Sequence, residues 1–483
     1  MNANLCHAPA QRPLKVGILG GGIAGATVAL RLADMGIHTL LIEASSGLVN
    51  GPPICHLHAG GNLYREISDE QCLTLLRQSI ASVRAYPHSI NRRPTVIATP
   101  VTDPGDAEAL LPRLQQVAHE YRRLVEEDPA NRVLGEPDQY YRCYSRAQFE
   151  ALATRPIPEH AECQDDWLTP LAHHLDPDKL KFPLILVQEY GWSLFRMAAT
   201  ATLALNAAPH CALHFHTRAS RLEQEPDGWT IHGHHSDGAA QSFRVDFLVN
   251  ACGFRTGLVD DMAGYRRQRL VEYKAAYVAR WQTEGEWPEV IFHGQRGTPN
   301  GMAQLTPYPN GIFQLHGMTD GITLFKGGLA ASGEHSAQPK LPQPYVAQLN
   351  NGWQTPDIAA RTQDAIAHLA RLLPAFGNAE VGGKPLYGAQ QIPGSDPSLR
   401  AADVSFEGHH YARVEIVKAS SALTAADRIV DKLAELGWLE HKEQPLSPSL
   451  ALTKDQHASE VEQEAIRLAR ERGYPDELAL NMG

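Results

Sequence analysis

The sequence predicts an α/β fold with two domains, a Rossmann-like nucleotide-binding domain and an inserted α+β domain built on an antiparallel sheet. Three observations carry this prediction. A short apolar run at 14–19 leads into a G-x-G-x-x-G turn, a helical pattern and a second strand at 39–42. Strand and helix patterns return at 191–253 and 411–436. Alternating strand patterns fill much of 267–326.

Composition excludes several classes of protein. Of the 483 residues, 43% are hydrophobic and 20% are charged, which is ordinary globular usage and excludes disorder throughout the chain. The net charge of −11 argues against a nucleic-acid partner. No apolar stretch reaches the roughly 18 residues of a membrane span, and residues 1–13 lack the apolar core of a secretory signal. We therefore expect no transmembrane segment and a cytoplasmic location.

Neither a disulfide framework nor a metal site is expected. The seven cysteines are scattered without a C-x-x-C pair, which is typical of a reducing compartment. The 23 histidines include the pairs His56/His58 and His214/His216, but no further ligands follow at metal spacing. The sequence therefore predicts no metal ligands.

The glycine-rich turn after the first strand carries the strongest signal. Gly20 permits the tight turn, Gly22 lets the backbone approach a pyrophosphate, and Gly25 lets the helix pack close to the sheet. Glu43, at the end of the second strand, is positioned to accept hydrogen bonds from a ribose diol. The expected cofactor-binding residues of this segment are Gly20, Gly22, Ile23, Ala24, Gly25, Glu43 and Ala44.

This segment alone fits either NAD or FAD, and features elsewhere in the chain favour FAD. The long chain has no second dinucleotide fingerprint. A helix pattern at 191–206 and strands at 212–219, 229–233 and 247–253 are typical of the rest of a flavin-binding domain. The small residues that we expect beneath the nucleotide are Ala219, Ala251, Cys252 and Gly253.

The C-terminal part also favours a flavin. A strand at 411–417 leads through Lys418, Ser420 and Ser421 to a helix at 422–436. A helix that points its N-terminus at a flavin would stabilise negative charge on the reduced ring.

With these motifs, the sequence resembles the D-amino acid oxidase/glycine oxidase (DAO) superfamily of FAD-dependent oxidoreductases. The run Lys418-Ala419-Ser420-Ser421 matches a flavin-contacting motif of sarcosine-oxidase-like members, although the glycines that precede that motif are absent here. The resemblance implies a discontinuous FAD-binding domain of the GR2 type and an inserted substrate domain. The predicted division assigns 14–61, 190–258 and 380–440 to the FAD domain, 62–189 and 259–379 to the substrate domain, and 441–483 to a helical tail.

The resemblance also assigns a flavin-contacting loop to residues 55–64. His58, Ala59 and Gly60 resemble a run through which some amine dehydrogenases of the family attach FAD covalently. The alternative is a turn that only packs on the flavin ring, because small residues allow close backbone approach.

Catalytic candidates come from the predicted substrate sheet and the later strand. His316 is a candidate base and Gln314 a candidate substrate contact on a strand at 312–316. Arg413 is the candidate carboxylate clamp, and the charge of Lys418 would stabilise reduced flavin. A loop containing Tyr387, Gln390 and Gln391 supplies further candidates.

The resulting hypothesis is an oxidoreductase that transfers hydride from the C–N bond of a small amine or amino acid to FAD, with O2 or a quinone as electron acceptor. One alternative is a dehydrogenase for a malate-like 2-hydroxy acid that passes electrons to a quinone. Others are an FAD-binding protein without turnover and a monooxygenase driven by NAD(P)H.

The tail carries a helical pattern with opposite charges at Glu464, Arg467 and Glu471, which predicts a solvated helix. This helix could dock on the body or on a second subunit of a homo-oligomer.

Overall fold

The computed structural model describes residues 13–54, 56, 57, 59, 65, 67–400, 403–408, 410–440 and 445–482. The strands are β1 (Lys15–Leu19), β2 (His38–Ile42), β3 (Ile90–Asn91), β4 (Thr95–Pro100), β5 (Tyr141–Tyr144), β6 (Leu180–Val187), β7 (Gly191–Trp192), β8 (Cys211–His214), β9 (Thr217–Glu225), β10 (Gly228–His235), β11 (Ala240–Val245), β12 (Phe247–Asn250), β13 (Arg269–Arg280), β14 (Glu289–Phe292), β15 (Ala303–Tyr308), β16 (Ile312–Gly317), β17 (Leu329–Ala331), β18 (Glu380–Val381), β19 (Leu386–Pro393), β20 (Asp403–Glu407) and β21 (Tyr411–Glu415). The helices are α1 (Ile23–Asp34), α2 (Asp69–Ala85), α3 (Leu111–Glu127), α4 (Arg146–Leu152), α5 (Gln164–His174), α6 (Leu194–Ala207), α7 (Thr256–Ala263), α8 (Gln343–Asn351), α9 (Thr355–Ala370), α10 (Ala422–Glu435), α11 (Ala451–Lys454) and α12 (Ala458–Glu471).

A six-stranded sheet in the order β20-β21-β12-β1-β2-β8 forms the nucleotide-binding half. All of its pairs are parallel except β20 with β21. Leu19 pairs with both Ile42 and Asn250, so the carboxyl ends of β1, β2 and β12 meet at one edge. Ligands of open α/β sheets bind at this edge. The α/β fold and its Rossmann-like half are confirmed.

One predicted strand of this half is two strands in the structure. The pattern at 212–219 predicts a continuous strand, but β8 joins the parallel sheet and β9 begins a separate three-stranded sheet, β11-β10-β9. His216 between them has a φ of 53°, which is incompatible with an extended strand. The chain therefore turns at His216.

A larger sheet runs in the order β17-β13-β16-β15-β14-β4-β6-β5, and β18 and β19 pair with β13 as well. It is antiparallel, as predicted, except for the parallel pair β14–β4. Residues 62–189, which have mainly helical patterns, also contribute β4, β5 and β6. Strand β4 and the second half of β6 are buried on both faces, so they lack the alternation that identifies a half-buried strand.

The strands within the predicted FAD-binding segment 380–440 are divided between the parallel sheet and the large sheet. The residues around Tyr387, Gln390 and Gln391 form strand β19 rather than a loop, and β19 pairs with β13 along most of its length. Residues 380–393 thus belong to the large sheet, whereas β20 and β21 belong to the parallel sheet. The predicted domain boundaries, including the start of that segment at residue 380, stay a prediction.

The tail is docked on the body of the same chain. Helix α12 packs against α6 and buries Val461, Ala465 and Leu468. On its exposed face, Arg467 pairs with Glu464 at 2.7 Å and with Glu471 at 2.9 Å. The charge pattern predicts these pairs, whereas the buried face makes α12 a packed helix rather than a solvated one.

Within the described ranges, no helix combines the length and apolar character required to cross a membrane.

Candidate active site

A cavity of about 1000 Å³, the large cavity, opens where the carboxyl ends of the parallel strands meet. The glycine-rich turn forms one wall. Gly20 has a φ of +97°, and a Cβ there would lie 2.6 Å from the carbonyl oxygen of Ala251. A Cβ on Gly25 would lie 1.9 Å from the carbonyl oxygen of Gly20, so only glycine lets α1 pack this closely. A Cβ on Gly22 meets no protein atom within 4 Å, so the backbone there is open to a ligand.

Glu43 lies at the end of β2 and lines the large cavity. One carboxylate oxygen accepts a hydrogen bond from the backbone N–H of Gly21 at 2.6 Å, and the other accepts one from the N–H of Ser45 at 2.8 Å. These bonds fix the carboxylate beside the glycine turn. Its remaining lone pairs are available to a ribose diol.

Most of the predicted cofactor-binding residues are brought together around the large cavity. Those that line it are Gly20, Gly22, Ile23, Ala24, Glu43, Ala44, Ala219, Ala251, Cys252 and Gly253. Gly25 lies directly behind Gly20. The size of the cavity, the glycine turn at the N-terminus of α1 and the acid at the end of β2 fit a dinucleotide such as FAD.

The two predicted serines do not line the large cavity. The Ser421 hydroxyl donates to the Gln78 side chain at 2.9 Å, and the carbonyl of Ser420 accepts a hydrogen bond from Ser82 at 2.8 Å. Instead, Lys418 and Ala419 line the cavity. The serines tie the start of α10 to α2, so they support the site from behind.

The predicted flavin-contacting loop lies mostly outside the described residues. Neither His58, the predicted attachment site, nor Gly60 is among the described residues. Ala59 is buried, and its carbonyl accepts a hydrogen bond from the Tyr140 hydroxyl at 2.8 Å.

A second cavity of about 220 Å³, the small cavity, adjoins the large one. Val417, Lys418, Ala419 and the stretch 388–390 line both cavities, so the two share a wall or an opening at this place. The polar side chains of the small cavity are those of His56, Lys274, Arg296, Gln304, His316, Gln390, Arg400 and Lys418. It is therefore rich in cations and suits an anionic ligand.

Two of these cations share one carboxylate. The Lys274 ammonium lies 2.6 Å from an oxygen of Glu272 and donates to the side-chain oxygen of Gln390 at 3.1 Å. Arg296 binds the other oxygen of Glu272. Burial lowers the pKa of Lys274 to about 8, although Glu272 opposes the shift. Lys274 is thus mostly protonated at neutral pH.

A histidine–carboxylate pair lies in the same cavity. His56 Nδ1 lies 3.0 Å from Glu289, and Arg93 and the Gln304 amide contact Glu289 at 3.0 Å and 2.6 Å. Burial alone would raise the pKa of Glu289, but His56, Arg93 and Gln304 outweigh it and lower the pKa to about 2. Glu289 is therefore ionised and orients the imidazole, whose Nε2 lies 3.0 Å from the Gln304 amide.

The predicted catalytic residues divide between the small cavity and the protein interior. His316 lines the small cavity, and burial together with His56 and Lys274 lowers its pKa to about 3, so its imidazole is neutral at pH 7. Gln314 is fully buried behind it, with its amide 3.4 Å from His316 Nδ1.

Arg413 does not reach either cavity. Its side chain is fully buried, with Nε 2.6 Å from Asp260 and Nη1 2.9 Å from Glu407. The strand pattern at 411–417 does not show which face each residue occupies, because β21 is buried on both faces. The structure thus places the predicted carboxylate clamp in an internal ion-pair network.

Several lining residues have no sequence motif. Lys274 lies within a long strand that also carries Glu272, which is a usable signal because a lysine in a buried strand needs a partner or a function. His56 and Glu289 are far apart in sequence, and neither has a motif that points to the other. Arg472 and Tyr474 of the tail and Lys384 line the large cavity, and their sequence context gives no indication of it.

Comparisons with known proteins identify the family. The model of the family described as FAD dependent oxidoreductase (DAO) matches residues 15–413. No curated protein sequence matches the chain significantly.

Solved structures share the fold at low sequence identity. Glycine oxidase from Geobacillus kaustophilus has a TM-score of 0.55 and 14% identity, with 92% of this chain and 100% of that chain covered. L-amino acid deaminase from Proteus vulgaris has a TM-score of 0.57 and 12% identity, covering 93% and 99%. Glycerol-3-phosphate dehydrogenase from Bacillus halodurans, solved with FAD, has a TM-score of 0.55 and 13% identity, covering 96% and 74%. The family match spans most of the chain, and the protein belongs to the DAO family of FAD-dependent oxidoreductases.

Proposed function

We propose that this protein oxidises the C–N bond of a small amine that carries a carboxylate, such as an amino acid. The observation that carries the proposal is the cationic small cavity directly beside the cofactor cavity. Bound FAD supplies the acceptor for the hydride that leaves the α-carbon. The amine nitrogen loses a proton to water, and the resulting imine reacts with water to give a carbonyl compound and ammonia or an amine.

The carboxylate would bind at Lys274 and Arg296. These two cations share Glu272, so the group of three has one positive charge in excess at neutral pH. A substrate carboxylate would balance it and would be held by charge-assisted hydrogen bonds. Lys418, which lines both cavities, would hold the same substrate from the cofactor side.

Neutral His316 is proposed to accept a hydrogen bond from the N–H of the neutral amine and so to orient its nitrogen. Its imidazole is unprotonated across the physiological range because burial lowers its pKa to about 3. The amine nitrogen must be neutral before hydride can leave, and an unprotonated imidazole favours the neutral amine over the ammonium, because it adds no positive charge beside the nitrogen. Gln314 positions the ring by the contact of its amide with Nδ1.

A 2-hydroxy acid is the second candidate substrate, and the His56–Glu289 pair favours it. Removal of hydride from an alcohol carbon requires a base for the hydroxyl proton, whereas a neutral amine requires none during hydride transfer. Glu289 would stabilise the imidazolium that forms on His56, since the two groups lie 3.0 Å apart. The fold relatives named above include enzymes for amino acids and one for an alcohol that is not a 2-hydroxy acid, glycerol-3-phosphate dehydrogenase.

The test is anaerobic reduction of the bound flavin. The loss of its visible absorbance measures the reduction. Matched pairs are used, namely an amino acid, the amine that lacks its carboxylate, and the corresponding 2-hydroxy acid. We expect the amino acid to reduce the flavin and the decarboxylated amine to fail at equal concentration. Reduction by the hydroxy acid alone would establish the second candidate. A flavin that no compound of the panel reduces would contradict both and favour a binding protein without turnover.

The variant Glu289→Gln separates the two candidates further. It removes the carboxylate charge that faces both His56 and Arg93 with little change in shape, so we expect reduction by a hydroxy acid to slow by about 10- to 100-fold. Reduction by an amino acid should change much less. The exposed Glu284→Gln on the same segment is the control. Once a substrate is known, the electron acceptor is identified by comparing the rate at which air reoxidises the reduced flavin with the rate at which a quinone does.

A further inference from the structure

The C-terminal tail reaches the large cavity, although it lies beyond residue 413, where the family match ends. Arg472, directly after α12, and Tyr474 both line this cavity. The tail is held there by contacts with the body. The Thr453 hydroxyl donates to the carbonyl of Ala85 at 2.7 Å, and the N–H of Arg92 donates to the carbonyl of Met482 at 2.9 Å.

Arg472 is joined to the glycine-rich turn through one residue. Its guanidinium donates to the carbonyls of Leu48 and Val49, both at 2.8 Å. The N–H of Val49 in turn donates to the carbonyl of Gly21 at 2.7 Å. The guanidinium therefore lies at the end of the cavity where the glycine turn and the N-terminus of α1 favour phosphate groups.

Arg472 forms no ion pair among the described residues, although Glu471 and Glu464 act on its charge from a longer distance. In the part of the chain that the structure describes, no carboxylate lies within 4.0 Å of its guanidinium, and its hydrogen bonds are to neutral carbonyls. Burial lowers the pKa of Arg472 only to about 10, so the charge persists at neutral pH. A partly buried cation requires a counter-charge, which an anionic ligand in the cavity would supply.

We propose that the tail is part of the FAD site and that Arg472 supplies a positive charge to the diphosphate of the cofactor. Tyr474 fixes the position of this end of the tail, because its hydroxyl donates to the carbonyl of Pro385 at 3.2 Å and its ring packs against Phe195. The inference concerns cofactor binding and is independent of which substrate is oxidised.

The first test measures the dissociation constant of FAD by titration of the apoprotein, at low and at high salt. Arg472→Gln keeps a donor for the carbonyls and loses the charge, so we expect about 10- to 100-fold weaker binding and a smaller salt dependence. Arg472→Lys should restore most of the affinity. Arg467→Gln, which is exposed on α12 and paired with Glu464 and Glu471 of that helix, is the control and should bind FAD as the wild type does.

Wild-type affinity in Arg472→Gln would overturn the proposal. Equal losses in the Gln and Lys variants, accompanied by an equal fall in the melting temperature of the apoprotein, would also overturn it, because they indicate packing rather than charge.

A second test needs no variant. Hydrogen exchange of the peptides covering 469–476 is compared in the wild-type apoprotein and in the FAD-loaded protein. We expect FAD to slow exchange there, because the ligand would hold Arg472 and the residues around it. Unchanged exchange in this segment, with protection at 20–26 as the positive control, would contradict a role of the tail in the cofactor site.

Discussion

Lys274 is the residue whose protonation state most directly affects the proposed substrate site. It lies on β13, contacts Glu272 and Gln390, and its pKa is lowered to about 8 by burial. As the pH rises through 8, the ammonium loses its proton and the site loses a positive charge. The affinity for a carboxylate must therefore fall on the alkaline side.

The prediction concerns the KM of the amino acid or hydroxy acid that reduces the flavin. In the wild type, KM should rise above pH 8 by up to about tenfold per pH unit, because only the protonated lysine binds the carboxylate. In Lys274→Arg the side chain stays charged, and the rise in KM should disappear. Steady-state kinetics from pH 6 to pH 10 provide the measurement. If the two profiles coincide, Lys274 does not bind the carboxylate.

At this scale, sequence reasoning succeeds where residues that act together are close in the chain. Gly20, Gly22 and Gly25 belong to one turn, and Glu43 follows at the spacing set by one helix and one strand. His56 and Glu289 meet only because β14 and β15 bring Glu289 and Gln304 together beside the residues after β2. For Arg413, sequence reasoning predicts a ligand contact that the structure does not show. Its charge suggests that it binds a ligand, but Asp260 inside the protein already binds it.

At the scale of one element, substitutions in the turn between β1 and α1 can distinguish an effect on cofactor binding from an effect on the stability of the fold. Gly22→Ala adds a Cβ where no protein atom lies within 4 Å, and its backbone φ of −62° suits alanine. We expect an apoprotein with an unchanged melting temperature and FAD binding weakened by at least about tenfold, because the methyl group occupies space needed by the diphosphate.

Gly25→Ala should behave differently, because its Cβ would lie 1.9 Å from the carbonyl of Gly20 and α1 would have to move. We expect a lower melting temperature of the apoprotein together with loss of FAD. Gly47→Ala, where a Cβ also meets no protein atom within 4 Å, is the matched control and should change neither property. Equal thermal stability of the Gly22 and Gly25 variants would show that the packing argument is wrong.

Elements differ in how well a sequence reveals them. The β1-α1-β2 unit follows from local patterns, because strand period, glycine turn and helix period agree. Strands β4 and β19 do not, since each is defined by partners distant in the chain, β14 and β13 respectively. The docking of α12 has the same origin. Its charge pattern predicts the helix, but the surface that receives it is formed by α6, far earlier in the sequence.

At the scale of the whole molecule, a buried ion-pair network connects the two large sheets. Asp260 on α7 binds Arg413 of the parallel sheet at 2.6 Å and also binds Arg269 of the large sheet. Arg269 in turn contacts Glu415 of β21 at 2.8 Å. The large cavity is lined by residues of both sheets, and the small cavity by the large sheet and by residues 417–419, which directly follow β21. This network is therefore placed to set the position of the substrate site relative to the cofactor site.

Asp260→Asn tests this role. The substitution keeps the shape and leaves two buried guanidinium groups with one acid fewer between them, so we expect a loss of about 3 kcal/mol in the free energy of unfolding. Urea denaturation followed by circular dichroism measures it. The neighbouring Asp261→Asn is the control, because that side chain is exposed and its bonds to Ser336 and the N–H of Ala337 lie at the surface. We expect it to cost at most about 1 kcal/mol.

The connection between sheets predicts a second effect of Asp260→Asn, on function. If the network sets the position of the substrate site relative to the cofactor, the folded variant should still bind FAD, since the glycine turn is untouched, but substrate should reduce its flavin more slowly. Stopped-flow reduction at saturating substrate separates the two properties. Loss of stability with an unchanged rate of flavin reduction would show that the network stabilises the fold without positioning the site.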